Sequence, residues 1–167
     1  MVDSNLQMIR LGKLTDYGLV VMSQMARRPQ SELHTARDLA ERCRLPLPTV
    51  SKLLKLLLQG GLLQSHRGIK GGYSLAREPK LISIADIVTA LEGPLALTEC
   101  NMDVAGLCDL EPSCPIKDNQ RLINQVVRGA LEKVMLWDLI RPMQFAAIRD
   151  SHGNLVQIES LTSGRMQ

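Results

Sequence analysis

Cys100, Cys108 and Cys114 fall within fifteen residues, in a segment that also carries Gly106, Pro112 and Pro115 and so cannot be regular helix. Three thiols on a short loop can form disulfides, bind a metal or act as nucleophiles. The opening Met1-Val2-Asp3-Ser4-Asn5-Leu6-Gln7 has neither the basic flank nor the apolar run of a signal peptide, so the chain is read as cytoplasmic and its thiols as reduced. A thiolate is the metal-binding form, and a helix starting just beyond Cys114 would favour its charge. A closed zinc site usually takes four protein ligands with Cys-x2–4-Cys pairs, and no such pair exists here. Iron–sulfur clusters accept wider spacings and unusual fourth ligands, so the spacing leans toward a cluster, with three bare cysteines in a flexible loop as its rival. A cysteine enzyme would need a general base beside one thiol, and His34, His66 and His152 all lie outside the loop. We therefore expect no enzyme.

The elements that hold this loop follow from composition and period. At 167 residues with 45% hydrophobic side chains, the chain can fill one core, or one core plus an oligomerisation element. No apolar run approaches the ~18 residues of a membrane span. One Phe, one Trp and two Tyr among many aliphatic residues predict packed helices and a mainly α fold. The net charge of +3 hides an asymmetry: residues 1–91 carry 13 basic and 7 acidic side chains, whereas residues 92–167 carry 7 and 10. From Arg42 to Lys80 there are eight basic residues against Glu78 alone, which marks that stretch as a candidate for a phosphate backbone.

Leu14, Tyr17, Val21 and Met25 recur at helical spacing and predict a helix over 13–27, ended by Arg28-Pro29, with Asp16 nearly opposite the apolar stripe. Thr35-Ala36-Arg37-Asp38 resembles a capping box for a second helix, in which Cys43 shares the apolar face of Ala36, Leu39 and Ala40 and is read as core. After the turn Arg44-Leu45-Pro46-Leu47, Pro48 opens a third helix to about Gln59. Its stripe is Val50, Leu53, Leu54 and Leu57, and Lys52, Lys55 and Gln59 lie opposite, flanked by Thr49 and Ser51. Two short helices about a tight turn, the second offering small polar and basic residues, match a helix-turn-helix whose second helix enters the major groove. Leu62–His66 and Tyr73–Leu75 can pair across Arg67-Gly-Ile-Lys70-Gly-Gly as a wing, whose Gly-rich tip lets backbone approach a phosphate or groove and carries Arg67 and Lys70. Ser83-Ile-Ala-Asp86 caps a fourth helix closing at Gly93-Pro94. The cysteine loop is acidic, with Glu99, Asp103, Asp109 and Glu111 and no basic residue before Lys117, so it should lie away from DNA. From Pro115 to about Arg141 runs one helical pattern, roughly 40 Å long, with Ile116, Ile123, Val127, Leu131 and Val134 along one side. It exceeds what a small core can cover and is read as a dimerisation helix, because symmetric operators call for two-fold symmetric proteins.

The order Leu11-Gly-Lys-Leu-Thr-Asp-Tyr17, helix-turn-helix, Arg67-Gly-Ile-Lys-Gly-Gly-Tyr73, three-cysteine loop and long helix resembles the IscR/NsrR family of winged-helix iron–sulfur regulators, from about Met8 to Leu139. The resemblance implies a homodimer on palindromic double-stranded promoter DNA, with a 2Fe–2S or 4Fe–4S cluster held by Cys100, Cys108 and Cys114. Some members supply a fourth ligand three residues after the third Cys, but Lys117 stands there and its ammonium has no lone pair. Others use a carboxylate near the start of the first helix, given by the partner subunit, which implies Asp16, with water, a small thiol or Asp118 as alternatives. For DNA the resemblance points to Thr49, Ser51, Lys52 and Arg67, and the charge pattern adds Lys55 and Lys70. The Leu-Thr-Asp-Tyr opening and the wide first cysteine spacing look most like the branch that regulates SUF iron–sulfur assembly genes. A nitric oxide or redox sensor of the same family, or a winged-helix protein with a structural metal or bare thiols, are the alternatives. The expected organisation is therefore a winged helix-turn-helix domain over 8–93, a cysteine loop over 94–114, a dimerisation helix over 115–141 and a flexible tail over 142–167.

Overall fold

The computed structural model describes residues 12–68, 70–98, 101, 108–110, 113–141, 148–149 and 155–156. Helix α1 (Lys13–Ala26) buries Thr15, Gly18, Val21, Met22 and Met25. The buried stripe is thus turned slightly from the predicted one: Leu14 and Tyr17 are only partly covered and flank it. Gly18 explains the turn, since a Cβ there would meet the side chains of Leu91 and Leu53. The missing side chain lets α1 lie close against the two helices that follow in the core.

Helix α2 (Ala36–Cys43) begins at Thr35, whose hydroxyl accepts from the Asp38 N–H at 3.1 Å. Only half of the expected capping box forms, because the Asp38 carboxylate accepts from Arg42 Nε at 2.8 Å instead. Cys43 packs against the core as read from the sequence, and burial raises its thiol pKa. Helix α3 (Leu47–Gln59) carries Pro48 in its first turn and buries the expected Val50, Leu53, Leu54 and Leu57, each fully. Full burial of one such side chain contributes about 1.5–3 kcal/mol, so this stripe anchors the half of the molecule that carries it.

Strands β1 (Leu63–His66) and β2 (Gly72–Leu75) form the expected antiparallel hairpin, with Leu63 opposite Leu75 and His66 opposite Gly72. The sequence did not reveal that β2 has a second neighbour. The backbone of His34 exchanges hydrogen bonds of 2.9 and 2.8 Å with Tyr73, so the residue before the α2 cap stitches the wing to the helix-turn-helix. A Cβ on Gly72 would lie 2.8 Å from the His34 carbonyl oxygen, and one on Gly71 2.5 Å from that of His66. These two glycines, expected to free the tip for a ligand, are required instead by close backbone packing inside the wing.

Helix α4 (Ile84–Glu92) has the full capping box: Ser83 Oγ accepts from the Asp86 N–H, and the Asp86 carboxylate accepts from the Ser83 N–H. The C-terminal helix departs from expectation. Helix α5 (Lys117–Lys133) spans 17 residues, about 25 Å, and then breaks. Val134 turns extended, its carbonyl accepts from the Ile84 N–H at 2.8 Å, and the Leu136 N–H donates to Ile82 at the same distance. Helix α6 (Leu136–Leu139) follows, with Leu136 fully buried. Two backbone hydrogen bonds to the strand-like segment before α4, and a buried leucine, outweigh one more turn of exposed helix. The tail expected to be flexible carries a short antiparallel pair, β3 (Ile148–Arg149) with β4 (Leu155–Val156).

Candidate nucleic-acid interface and cysteine loop

The apolar stripe of α3 faces the core, so its opposite face is turned to solvent. Ser51, Lys52 and Lys55 are exposed there, and Thr49 is half-buried at the helix start. At the wing tip Gly68 is left-handed (φ 118°), the Gly71 N–H closes a turn onto its carbonyl at 2.9 Å, and Arg67 and Lys70 are exposed on either side. None of Lys52, Lys55, Arg67 and Lys70 has an ion pair among the described residues. Five arginines elsewhere, Arg42, Arg77, Arg121, Arg128 and Arg141, lie against carboxylates, whereas Arg27, Arg28, Arg37 and Arg44 have no ion pair among the described residues. Unpaired cations on a recognition helix and a wing form a surface suited to phosphate. His66 on the wing bonds Ser74 Oγ at 3.0 Å and so braces the hairpin.

The cysteine loop leaves α4 at Gly93 and rejoins helix at Lys117. Cys100 lies outside the described residues. Cys108 and Cys114 are half-buried free thiols, and the Cys114 carbonyl accepts from the Lys117 N–H at 3.4 Å where α5 begins. Asp16 is exposed in the first turn of α1, its N–H bonded to the Gly12 carbonyl. Among the described residues no three His, Cys, Asp or Glu side chains converge, so Asp16, Cys108 and Cys114 do not meet as a set within one chain.

Three polar residues without a local sequence signature fix the N-terminal part of the loop. Asn124 of α5 accepts from the Leu97 N–H at 3.0 Å and donates to the Leu95 carbonyl at 3.3 Å. Asn101 donates to Thr98 Oγ1 at 2.7 Å and to the Gln120 carbonyl of α5 at 3.4 Å. Glu92, the last residue of α4, accepts from Thr15 Oγ1 beside the N-terminus of α1. Thr15 is fully buried, and its neighbour in sequence is Asp16. The helix that feeds the cysteine loop is thereby tied to the turn that carries Asp16. The link joins residues 77 apart, so no local pattern could have shown it.

A helix-turn-helix joined to a two-stranded wing, with an unpaired basic face, defines a winged-helix DNA-binding protein. Comparison with known sequences narrows the class: residues 11–142 match the Rrf2 family, described as iron-dependent transcriptional regulators, and the chain belongs to that family. Among its relatives is the HTH-type transcriptional regulator NsrR of Shouchella clausii, 31% identical over 132 residues, covering 79% of this chain and 89% of that protein. Solved structures with the same fold include CymR, the global cysteine regulator of B. subtilis, at 28% identity and TM-score 0.61, covering 80% of this chain and 97% of that one. The IscR of T. potens matches at 27% identity and TM-score 0.59, covering 79% and 86%. The chain is a DNA-binding transcriptional regulator, and its relatives are regulators rather than enzymes. No helix among the described residues is long and apolar enough to cross a membrane.

Proposed function

We propose that the chain is a cytoplasmic, homodimeric regulator that senses an iron–sulfur cluster and controls promoters of iron–sulfur assembly (SUF) genes. The observation that carries this reading is the pair of free, half-buried thiols Cys108 and Cys114 on a loop whose N-terminal end is tied to α1 and α5. Reduced thiols on a constrained loop suit a thiolate-ligated cluster, which supplies redox and ligand-loss chemistry when bound. Cys100, Cys108 and Cys114 are the protein ligands in this reading, and Asp16 comes from the partner subunit. Its exposure in α1, and the lack of a set formed with Cys108 and Cys114 of its own chain, support a contribution across the dimer. The second subunit is attributed to α5, whose Leu122, Val126, Gly129 and Ala130 line an open groove.

The chain's own residues provide the route to DNA. A change in the loop acts on Glu92 and through Thr15 on the first turn of α1. Helix α1 packs through Gly18 against Leu53 of α3, so a shift of α1 moves the recognition helix. The two loop states then need different DNA affinities for a switch to operate. The thiols of Cys108 and Cys114 acting without a cluster form a second reading, favoured by the likeness to the cysteine regulator CymR.

An ultraviolet–visible spectrum of protein purified without oxygen, with iron and sulfide counted per chain, separates the two. Charge-transfer absorption in the parent, lost or greatly reduced in Cys108→Ala while the helical circular dichroism persists, supports the cluster. A colourless parent that resists reconstitution transfers the role to bare thiols. A Cys108→Ala protein that holds iron and sulfide like the parent removes Cys108 from the ligand set.

A further inference from the structure

Helix α2 ends in a Schellman motif: the Leu45 N–H donates to the Ala40 carbonyl at 3.0 Å, and the Arg44 N–H to that of Glu41 at 3.2 Å. The motif requires a left-handed residue, and Arg44 supplies it with φ 53° and ψ 41°. Glycine is the usual choice there because a Cβ makes this conformation costly. The other described residues with φ in this range, at 61, 68 and 93, are all glycine. The chain therefore accepts a local penalty to keep a side chain at position 44, and that side chain is exposed. Among the described residues Arg44 makes no ion pair and no side-chain hydrogen bond, so nothing within the fold repays the penalty. Its surroundings are stiff. Leu45 packs on the core, Pro46 is the N-cap of α3, and Pro48 lies in the first turn of that helix.

We propose that Arg44 is a DNA phosphate contact, fixed at the turn of the helix-turn-helix, that sets how the N-terminal end of α3 sits in the major groove. The proposal rests on reading α3 as the recognition helix. In that geometry the first helix and the turn pass over the backbone while the start of the second helix reaches the bases. A guanidinium held on a rigid turn suits a phosphate, since its planar fork loses little freedom on binding. Thr49 and Ser51 are too small to fix the register of α3, and Arg44 provides the clamp that they lack.

The test uses the full chain, a fluorescent random-sequence DNA duplex and a salt series, comparing the parent with Arg44→Gly, Arg44→Lys and Lys52→Ala with Lys55→Ala. Arg44→Gly is expected to raise the melting temperature, weaken binding several-fold and reduce the slope of log affinity against log salt by about 1. Arg44→Lys, which keeps the charge, is expected to keep the parent slope. An Arg44→Gly protein with unchanged slope and affinity overturns the assignment even where the Lys52/Lys55 variant loses both, which would leave α3 as the recognition helix. If that double variant also binds like the parent, the recognition-helix reading fails and the Arg44 proposal falls with it.

Discussion

From α1 to α4 every helix closes its apolar face against another, and Val21, Met22, Leu39, Leu53, Leu54, Leu57 and Ile87 are all fully buried. Helix α5 is longer than any of them and has no fully buried residue, only Leu131 packing partly against the core. Its Leu122, Ile123, Val126 and Val127 are 61%, 51%, 63% and 37% exposed. The first region satisfies its hydrophobic pattern within one chain. The second carries the same kind of pattern, and no described residue covers Leu122, Ile123 and Val126, an apolar face of the kind found at interfaces. The proposed recognition helix therefore rests on a core closed within one chain, while the exposed apolar face of α5 is what the proposed homodimer would cover. The loop lies between the two and is fastened to both, to α1 through Glu92 and to α5 through Asn124.

Substitutions in the two regions should therefore differ in kind. Leu54→Ala opens a cavity in the core beneath the recognition helix, and the expected loss is about 3 kcal/mol, seen as an earlier midpoint in denaturant unfolding. Replacing Leu122 and Val126 together by Lys should change the stability of the winged-helix core by no more than about 0.5 kcal/mol. The same variant should sediment as a monomer and bind a two-fold symmetric operator far more weakly. A Leu122→Lys, Val126→Lys protein that remains dimeric would move the interface away from this face of α5.

The period of apolar residues made the four helices of the first region legible, because each buries one face against its neighbours. The α3 stripe at Val50, Leu53, Leu54 and Leu57 is where period and burial coincide fully. The capping box at Ser83 was equally plain, since it lies within four residues. What the sequence concealed was set by distant partners. Periodicity continues through Val134, yet the helix stops there because Ile82 and Ile84 offer backbone partners from more than forty residues away. The glycines at 71 and 72 suggest an open wing tip in sequence, yet Gly72 is set by the backbone of His34 and Gly71 by that of His66. The basic candidates on α3 and the wing could be read from charge and period, whereas Arg44 depended on a backbone angle and Glu92 on a long-range contact. For the cysteine set, spacing suggested ligands, and among the described residues Cys108, Cys114 and Asp16 do not converge within one chain.

His34 gives the smallest and most local way to sharpen the comparison, because it lies inside the completed core yet is not fully satisfied. Its side chain is 2% exposed, its Nδ1 has no hydrogen-bond partner, and the Asp38 carboxylate is 3.9 Å away. Burial lowers the pKa of the ring below the ordinary 6.5, against the opposing pull of Glu32 and Asp38 and with further lowering by Arg42 and Arg28. The unfolded chain then binds a proton at a higher pH than the folded one. Stability from this group is full above about pH 6.5 and is lost as pH falls from there toward the lowered folded value. The melting temperature of the parent should therefore drop between about pH 7.5 and pH 5.5, and His34→Gln should flatten that drop. The His34 backbone bonds to Tyr73, so the same acidification should lower the protection of the Tyr73 amide relative to its intrinsic exchange rate at each pH. A ring titrating above 6.5 by NMR would mean that the Asp38 carboxylate stabilises the imidazolium more than burial destabilises it. The sign would then reverse, with stability gained on acidification.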